Sequence, residues 1–469
     1  MDLKFLQHRL NQLRDRSDIG VAPANLQEVV DELVVFEDQG FDFEHGLVVL
    51  DRSGRPLMKE KCPVVKHDGE HLHDEEQFLQ PFFYKKDEII VADWAVRKVQ
   101  ELLRQMDYPC ELTRDRKEGP AVVQVEDAGQ VVPLILERIE ERPLDPHGRE
   151  IPPASYNYLF FASPIDCGSP AGDPREPSSR PHLGAPGAGE GVAVAVLDSG
   201  ILPDYAANPA LANDVEFEQV DLDRTYWRGY IHFPGCHGTF VAGVVRRVAP
   251  ACKIVAIRVL DQDGIATESD VAEGIWRAIE KDVDIINLSL TCPGVAGNVS
   301  PVALQPALTA AVGAGIALVG AAGNAGRPEP TWPGHLEDVV GVGAVDANGA
   351  RAHFSNYGAW VDVWARGEDV VNAFGTGPYR PLRGGPTLNF AGYAVWSGTS
   401  FATPLVSGLV AARQASDTSK APEALAAVLD DAVRSIALGP GPDGDGARLV
   451  TLDTNVSYPP SPPAPPPGP

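Results

Sequence analysis

The chain is short of positive charge. Its 39 Lys and Arg face 65 Asp and Glu, a formal net charge of −26 at pH 7. Such an excess of carboxylates repels phosphate backbones and anionic lipid, so neither a nucleic-acid nor a membrane-surface partner is expected. Long apolar runs are missing too. The longest, LTAAVGAGIALVGAAG at 308–323, is built from Ala and Gly and is too short for a bilayer. The opening MDLKFLQHRLNQLRDRSD interleaves apolar and charged residues, which predicts an amphipathic helix rather than a secretory leader, and the expected compartment is the cytoplasm. Cysteines are few (62, 110, 167, 236, 252 and 292) and none forms a CxxC pair, so neither a disulfide framework nor a zinc site is expected. What is present is globular in kind: 44% apolar and 22% charged over 469 residues, enough for about three domains.

Composition divides the chain into five stretches. Residues 1–80 are expected to hold two helices (LKFLQHRLNQLRD and NLQEVVDELVVFEDQ), a strand-like GLVVLD and a polar stretch. They are read as an extension that recruits a protein partner or lengthens the domain that follows. Residues 81–165 carry, in order, FFYKKDEIIVA, AVRKVQELLRQM, YPCELTR, AVVQVE, QVVPLILERIEE and YNYLFFA. Their periodicities alternate as β-α-β-β-α-β, the ferredoxin-like split βαβ plan. Residues 166–188 are dense in Pro, Gly and Ser and read as a linker. Residues 189–455 alternate apolar strands with helical patterns, which predicts an α/β fold with a parallel sheet covered by helices on both faces. The tail 456–469 is Pro-rich, a spacer or disordered.

Four places in 189–455 pair a reactive side chain with a backbone able to present it. Asp198 follows the apolar strand VAVAVLD, where parallel sheets form their functional crevice. His237 opens the helix of CHGTFVAGVV, and an imidazole suits general-base work near neutral pH. Ser400 sits where a loop becomes a helix in VWSGTSFATPLVSG, with Thr399 as the expected N-cap and backbone N–H groups aimed at any oxyanion. Asn324 ends the small-residue strand of ALVGAAGNAG, and its amide can donate to developing negative charge. Each alone has an ordinary reading: a turn Asp, a structural His, a capped helix start, a turn Asn.

Together they change class. Asp, His and Ser occur in the subtilisin order and not in the chymotrypsin or α/β-hydrolase order. Residues 189–455 resemble the subtilisin-like serine proteases (the subtilase, or S8, superfamily) through VLDSGI, HGTFVAG, INLSL, GAAGN and SGTSFATPLVSG, in family order. The resemblance implies a serine endopeptidase acting on polypeptides through an acyl-enzyme, with no cofactor and no catalytic metal. It gives Ser400 the nucleophile's role, His237 that of base and acid, and Asp198 that of the carboxylate orienting His237. Asn324 and the Ser400 N–H would form the oxyanion hole. Ser289, Leu290, Thr291 and Gly323 would contact substrate, the first three pairing with its backbone as an added strand. Neutral His237 is needed, so activity should fall below about pH 6.5.

Departures from the family pattern are Phe240 in place of His, Phe401 in place of Met, Leu405 where His is frequent and Thr291 in place of Gly. None removes a reacting group. The short stretch from His237 to KIVAIRVL omits the loop in which many relatives bind calcium tightly. Residues 81–165 resemble the superfamily's inhibitory propeptide in topology and position, which implies a domain that blocks the cleft until a cut within 161–188. A permanently attached regulatory domain is the alternative. Cys236 is read as a buried thiol, HDGEHLHDEE (67–76) as a solvated loop and PDGDG (442–446) as a surface turn. The rival functions are a catalytically silent binding module and the serine-carboxyl peptidases. The latter use Glu in place of His and are disfavoured by HGTFVAG.

Overall fold

The computed structural model describes residues 18–22, 82–114, 119–162, 172–178, 181, 183–224, 226–227, 229–231, 234–292, 300–326, 328–381, 386–417, 419–431, 433–435 and 447–449. The two expected helices and the GLVVLD strand of residues 1–80, the 67–76 and 442–446 segments, Cys62, Cys167 and the tail 456–469 lie outside them. Two compact units emerge.

The smaller unit takes the described residues up to Pro143 together with Pro152–Leu159. It contains β1 (Ile19–Ala22), β2 (Phe82–Val91), α1 (Val96–Gln105), β3 (Cys110–Arg114), β4 (Ala121–Val125), α2 (Ala128–Arg138) and the greater part of β5 (Ala154–Ala162). Four of these strands form an antiparallel sheet in the order β5-β2-β4-β3, and β1 adds to β2. The βαββαβ order is therefore observed. In α1, Val99 and Leu103 are buried four apart; in α2, Ala128, Val131, Val132 and Ile135 form one apolar stripe. The sequence extends α2 to Glu141, but the helix stops at Arg138. The Arg142 guanidinium takes the Leu136 carbonyl (3.1 Å) that the next helical turn would have used, and Ile139 turns extended.

The larger unit gathers the described residues of Leu144–Ile151, Phe160–Cys292 and Ala296–Pro469. Its principal elements are β6 (Ala193–Asp198), β7 (Val215–Glu216), β8 (Tyr226–Trp227), β9 (Tyr230–Ile231), α3 (His237–Val248), β10 (Lys253–Arg258), β11 (Ile265–Thr267), α4 (Glu268–Glu280), β12 (Ile285–Leu288), β13 (Leu290–Thr291), α5 (Leu304–Gly313), β14 (Ala317–Ala321), β15 (Val340–Val345), β16 (Val363–Arg366), β17 (Val370–Tyr379), β18 (Leu388–Trp396), α6 (Thr399–Asp417), α7 (Ala421–Asp431), β19 (Val433–Ser435) and β20 (Ala447–Leu449). The main sheet runs β19-β20-β16-β15-β14-β12-β6-β10-β7, parallel except at the β19–β20 edge. Its central strands are apolar except for Asn287 in β12 and Asp198 at the end of β6, and they are almost wholly buried, as a sheet covered on both faces requires. A second sheet has the order β18-β17-β9-β8.

Order decides where chemistry can sit. From β6 the chain crosses to β10 on one side and returns to β12 on the other. The carboxyl end of β6 thus faces the crevice that such a reversal opens, and Asp198 is its last residue.

Candidate active site

Asp198 is fully buried, and its Oδ1 accepts the N–H of Ser199 (2.7 Å). The same oxygen lies 2.7 Å from His237 Nδ1. An ionised carboxylate only accepts, so Nδ1 carries the proton and Nε2 is left as the basic nitrogen. His237 is the first residue of α3, preceded by Cys236 at φ +69. Two glycines let the strand end and the helix start approach. A Cβ on Gly238 would lie 2.3 Å from the Gly200 carbonyl oxygen, and one on Gly200, at φ +95, would lie 2.1 Å from that of Asp221. His237 Nε2 is buried without a hydrogen-bond partner among the described residues.

Ser400 lies in the first turn of α6, fully buried. Its Oγ donates to the Ser289 carbonyl (3.1 Å), while the Ser289 hydroxyl donates to the Ser400 carbonyl (2.8 Å). Asn287 Nδ2 supports that hydroxyl at 2.9 Å, and Ser407 Oγ supports Asn287 Oδ1 at 2.9 Å. A buried polar chain beneath the helix start therefore sets the height of Ser400, and only the INLSL motif hinted at it.

Thr399 does not cap its helix as expected; it is the first helical residue. Its N–H and hydroxyl both donate to Asn324 Oδ1 (2.8 and 2.9 Å), and the hydroxyl accepts from the Gly323 N–H (3.0 Å). With Oδ1 engaged twice, the Asn324 amide is oriented with its NH₂ as the donating end. Gly323 turns at φ +99, where a Cβ would come within 2.6 Å of Asn356 Nδ2.

The expected substrate edge already carries a strand. Leu290 and Thr291 pair antiparallel with Ala162 and Phe161, the last residues of β5, and the Ala162 N–H donates to the Gly264 carbonyl at 2.8 Å. The sequence profile of the subtilase family matches residues 189–448. The chain belongs to the subtilase family.

Among similar proteins, a thermophilic serine proteinase of Bacillus sp. (strain AK1) is 35% identical over 240 residues, covering 47% of this chain and 51% of that protein. Thermitase of Thermoactinomyces vulgaris is 34% identical over 233 residues, 47% of this chain and 74% of thermitase. Subtilisin BL of Lederbergia lenta is 35% identical over 232 residues, 48% and 76% respectively. The chain spans about half the length of the first of these relatives.

In this subtilase two departures from the family pattern fill one space. Phe240 and Phe401 pack as tilted rings with centroids 4.5 Å apart, and both pack on Trp396 (5.8 and 5.1 Å). The His237 ring lies against Phe401 (5.3 Å) and Trp396 (5.6 Å), so apolar walls hold the imidazole's orientation. Leu405 is a buried core residue, and the Cys236 thiol is buried. Cys110 and Cys252 are free thiols. Among the described residues no group of three or more His, Cys, Asp or Glu is disposed to hold a metal ion, and no helix is long and apolar enough to cross a membrane.

Asp223 and Glu268 carry no signal in the sequence. Asp223 accepts from Ser199 and Cys236, which flank Asp198 and His237, whereas Glu268 accepts from the start of α5; neither lies in a motif.

Proposed function

We propose that the chain is a serine endopeptidase in which Ser400 attacks a peptide carbonyl, His237 takes its proton and Asp198 stabilises the resulting imidazolium. The observation that carries this reading is the buried Asp198–His237 hydrogen bond of 2.7 Å, in a unit where Asn324 is pinned by the residue preceding Ser400. A serine hydroxyl is a weak nucleophile until an imidazole accepts its proton. The Ser400 hydroxyl would turn from the Ser289 carbonyl to His237 Nε2. Asn324 and the Ser400 N–H would then stabilise the tetrahedral oxyanion. The imidazolium would give its proton to the departing amine as that intermediate collapses to the acyl-enzyme, and a water deprotonated by His237 would then release the acid and restore Ser400.

The N-terminal part is proposed to restrain this activity. Phe161 and Ala162 lie on the edge that the family uses for substrate, and Asp198, His237 and Ser400 are each 0% exposed, so a substrate reaches Ser400 only after chain moves away. Part of the expected linker adds to this. Arg175 bridges Val395 of β18 through two main-chain hydrogen bonds (2.9 and 2.8 Å), Gly172 accepts from the Trp396 indole (2.7 Å), and Asp173 and Arg175 bind Tyr379 and Asp369. Burial and the neighbouring Asp173 push the Tyr379 phenol up, so it stays protonated and donates. The activating cut is proposed within residues 161–188.

The test is a serine-directed phosphonate, a peptide-library digest and N-terminal sequencing, each run on the wild-type chain and Ser400→Ala. Labelling and digestion confined to the wild type support the peptidase; in a subtilisin, loss of the nucleophile costs about 10⁶ in turnover. A wild type that starts within 161–188 beside an uncut variant supports self-processing. Identical uncut chains favour a permanently attached regulatory domain. A silent module is favoured by the present hydrogen bond from Ser400 to Ser289, and absence of any label on wild type would establish it.

A further inference from the structure

We propose that Asp223 is a positioning residue for the Asp198–His237 pair, its carboxylate tying the turn that ends β6 to the residue that begins α3. The kinetic consequence rests on the peptidase reading above; the geometric one does not.

Asp223 is 8% exposed, and one of its oxygens, Oδ2, accepts two hydrogen bonds. One comes from the Ser199 hydroxyl at 2.9 Å, the other from the Cys236 N–H at 2.9 Å. Ser199 directly follows Asp198, and Cys236 directly precedes His237. The Ser199 hydroxyl also accepts the Gly238 N–H at 3.0 Å, so the residues on both sides of His237 are bound to this one hydroxyl–carboxylate pair. The ring closes through Asp198 Oδ1, which takes the Ser199 N–H and the His237 imidazole, both at 2.7 Å.

Two features show that this ring constrains the helix start. Cys236 holds φ +69, a backbone conformation that side-chain-bearing residues rarely adopt, and its N–H is secured by Asp223. Asp223 is itself anchored, since its N–H donates to the Ile201 carbonyl at 2.8 Å. A charged acceptor makes stronger hydrogen bonds than a neutral one, and a single oxygen holding both donors fixes their separation. Loss of the carboxylate would free Cys236 to relax and let the imidazole drift from the place where it must meet both Asp198 and Ser400.

The experiment compares wild type, Asp223→Ala, Asp223→Asn, Ser199→Ala and the Asp223→Ala, Ser199→Ala double variant as full chains. It reads kcat and KM on a soluble peptide and the downfield proton signal of His237 Nδ1–H. Displacement of a reacting group by about 1 Å costs on the order of 10²-fold. Asp223→Ala should therefore lower kcat by tens-fold with KM nearly unchanged. Asp223→Asn, which keeps an acceptor oxygen, should recover most of that loss, and adding Ser199→Ala to Asp223→Ala should cost little more. An unaltered kcat, a rise in KM alone, or an Asn variant no better than Ala overturns the proposal. If wild type itself proves inactive, the peptidase reading has failed and the proton signal decides. Shift or loss in Asp223→Ala with retention in Asp223→Asn supports the positioning role; an identical signal in all the chains refutes it. Should Asp223→Ala not fold, Ser199→Ala carries the same two readouts, with the same signs expected.

Discussion

At the scale of single residues the proposed oxyanion hole depends on which end of an amide points where. Asn324 has a carbonyl end and an amino end of nearly equal size, and only the latter can donate to an oxyanion. Thr399 decides between them by giving two hydrogen bonds to Oδ1. Asn324→Leu, which keeps the bulk and removes the donor, should reduce kcat by about 10²–10³-fold with little change in KM, as the corresponding loss does in a subtilisin. Steady-state kinetics on a peptide substrate would check this, and a KM effect in place of a kcat effect would contradict the assigned role.

At the scale of elements, a buried acid joins two helices. Glu268 opens α4, is 0% exposed, and its Oε1 accepts the N–H groups of Ala303 (2.7 Å) and Leu304 (3.1 Å) at the start of α5. Burial lifts its carboxyl from an ordinary 4.5 to about 7, against the lowering effect of the two N–H groups. Below about 4.5 the folded and unfolded chains both hold the proton. Between 4.5 and about 7 the unfolded chain ionises while the folded one does not, so stability falls as pH rises, and above about 7 the cost is complete. At ~1.4 kcal/mol per unit the loss is about 3 kcal/mol. Urea unfolding of Glu268→Gln should lack this decline across pH 4.5–7, so the variant gains on wild type as pH rises; parallel curves would refute the assignment. The Cys292 thiol, raised chiefly by its own burial and then by Glu268, stays protonated throughout this range.

At the scale of the whole molecule the chain supplies its own occupant for a strand edge. Ala162 gives its N–H to Gly264 and pairs with Leu290. A proline at that position cannot donate. Ala162→Pro should weaken the docked strand by about 1 kcal/mol per lost hydrogen bond and raise the hydrolysis of an added peptide by about fivefold. An unchanged or lower rate in a folded variant would mean that the strand does not limit access.

Local pattern was enough for much of this protein. The apolar runs ending at Asp198, Leu288 and Ala321 announced parallel strands because a sheet buried on both faces leaves no room for alternation. The five motifs located Asp198, His237, Asn324 and Ser400, since strand ends and helix starts are marked by short signals of Gly, Ser, Thr and Asn. The order βαββαβ in residues 81–165 was readable from periodicity alone. Sequence could not say that Asp223 closes on Ser199 and Cys236, that Glu268 reaches α5, or that Arg175 lies along β18 within a stretch whose Pro and Gly content suggests only a linker. Those partners are set by which strands neighbour one another. A carboxylate or a backbone N–H carries no local trace of the distant group it will meet, so that choice belongs to the packed structure.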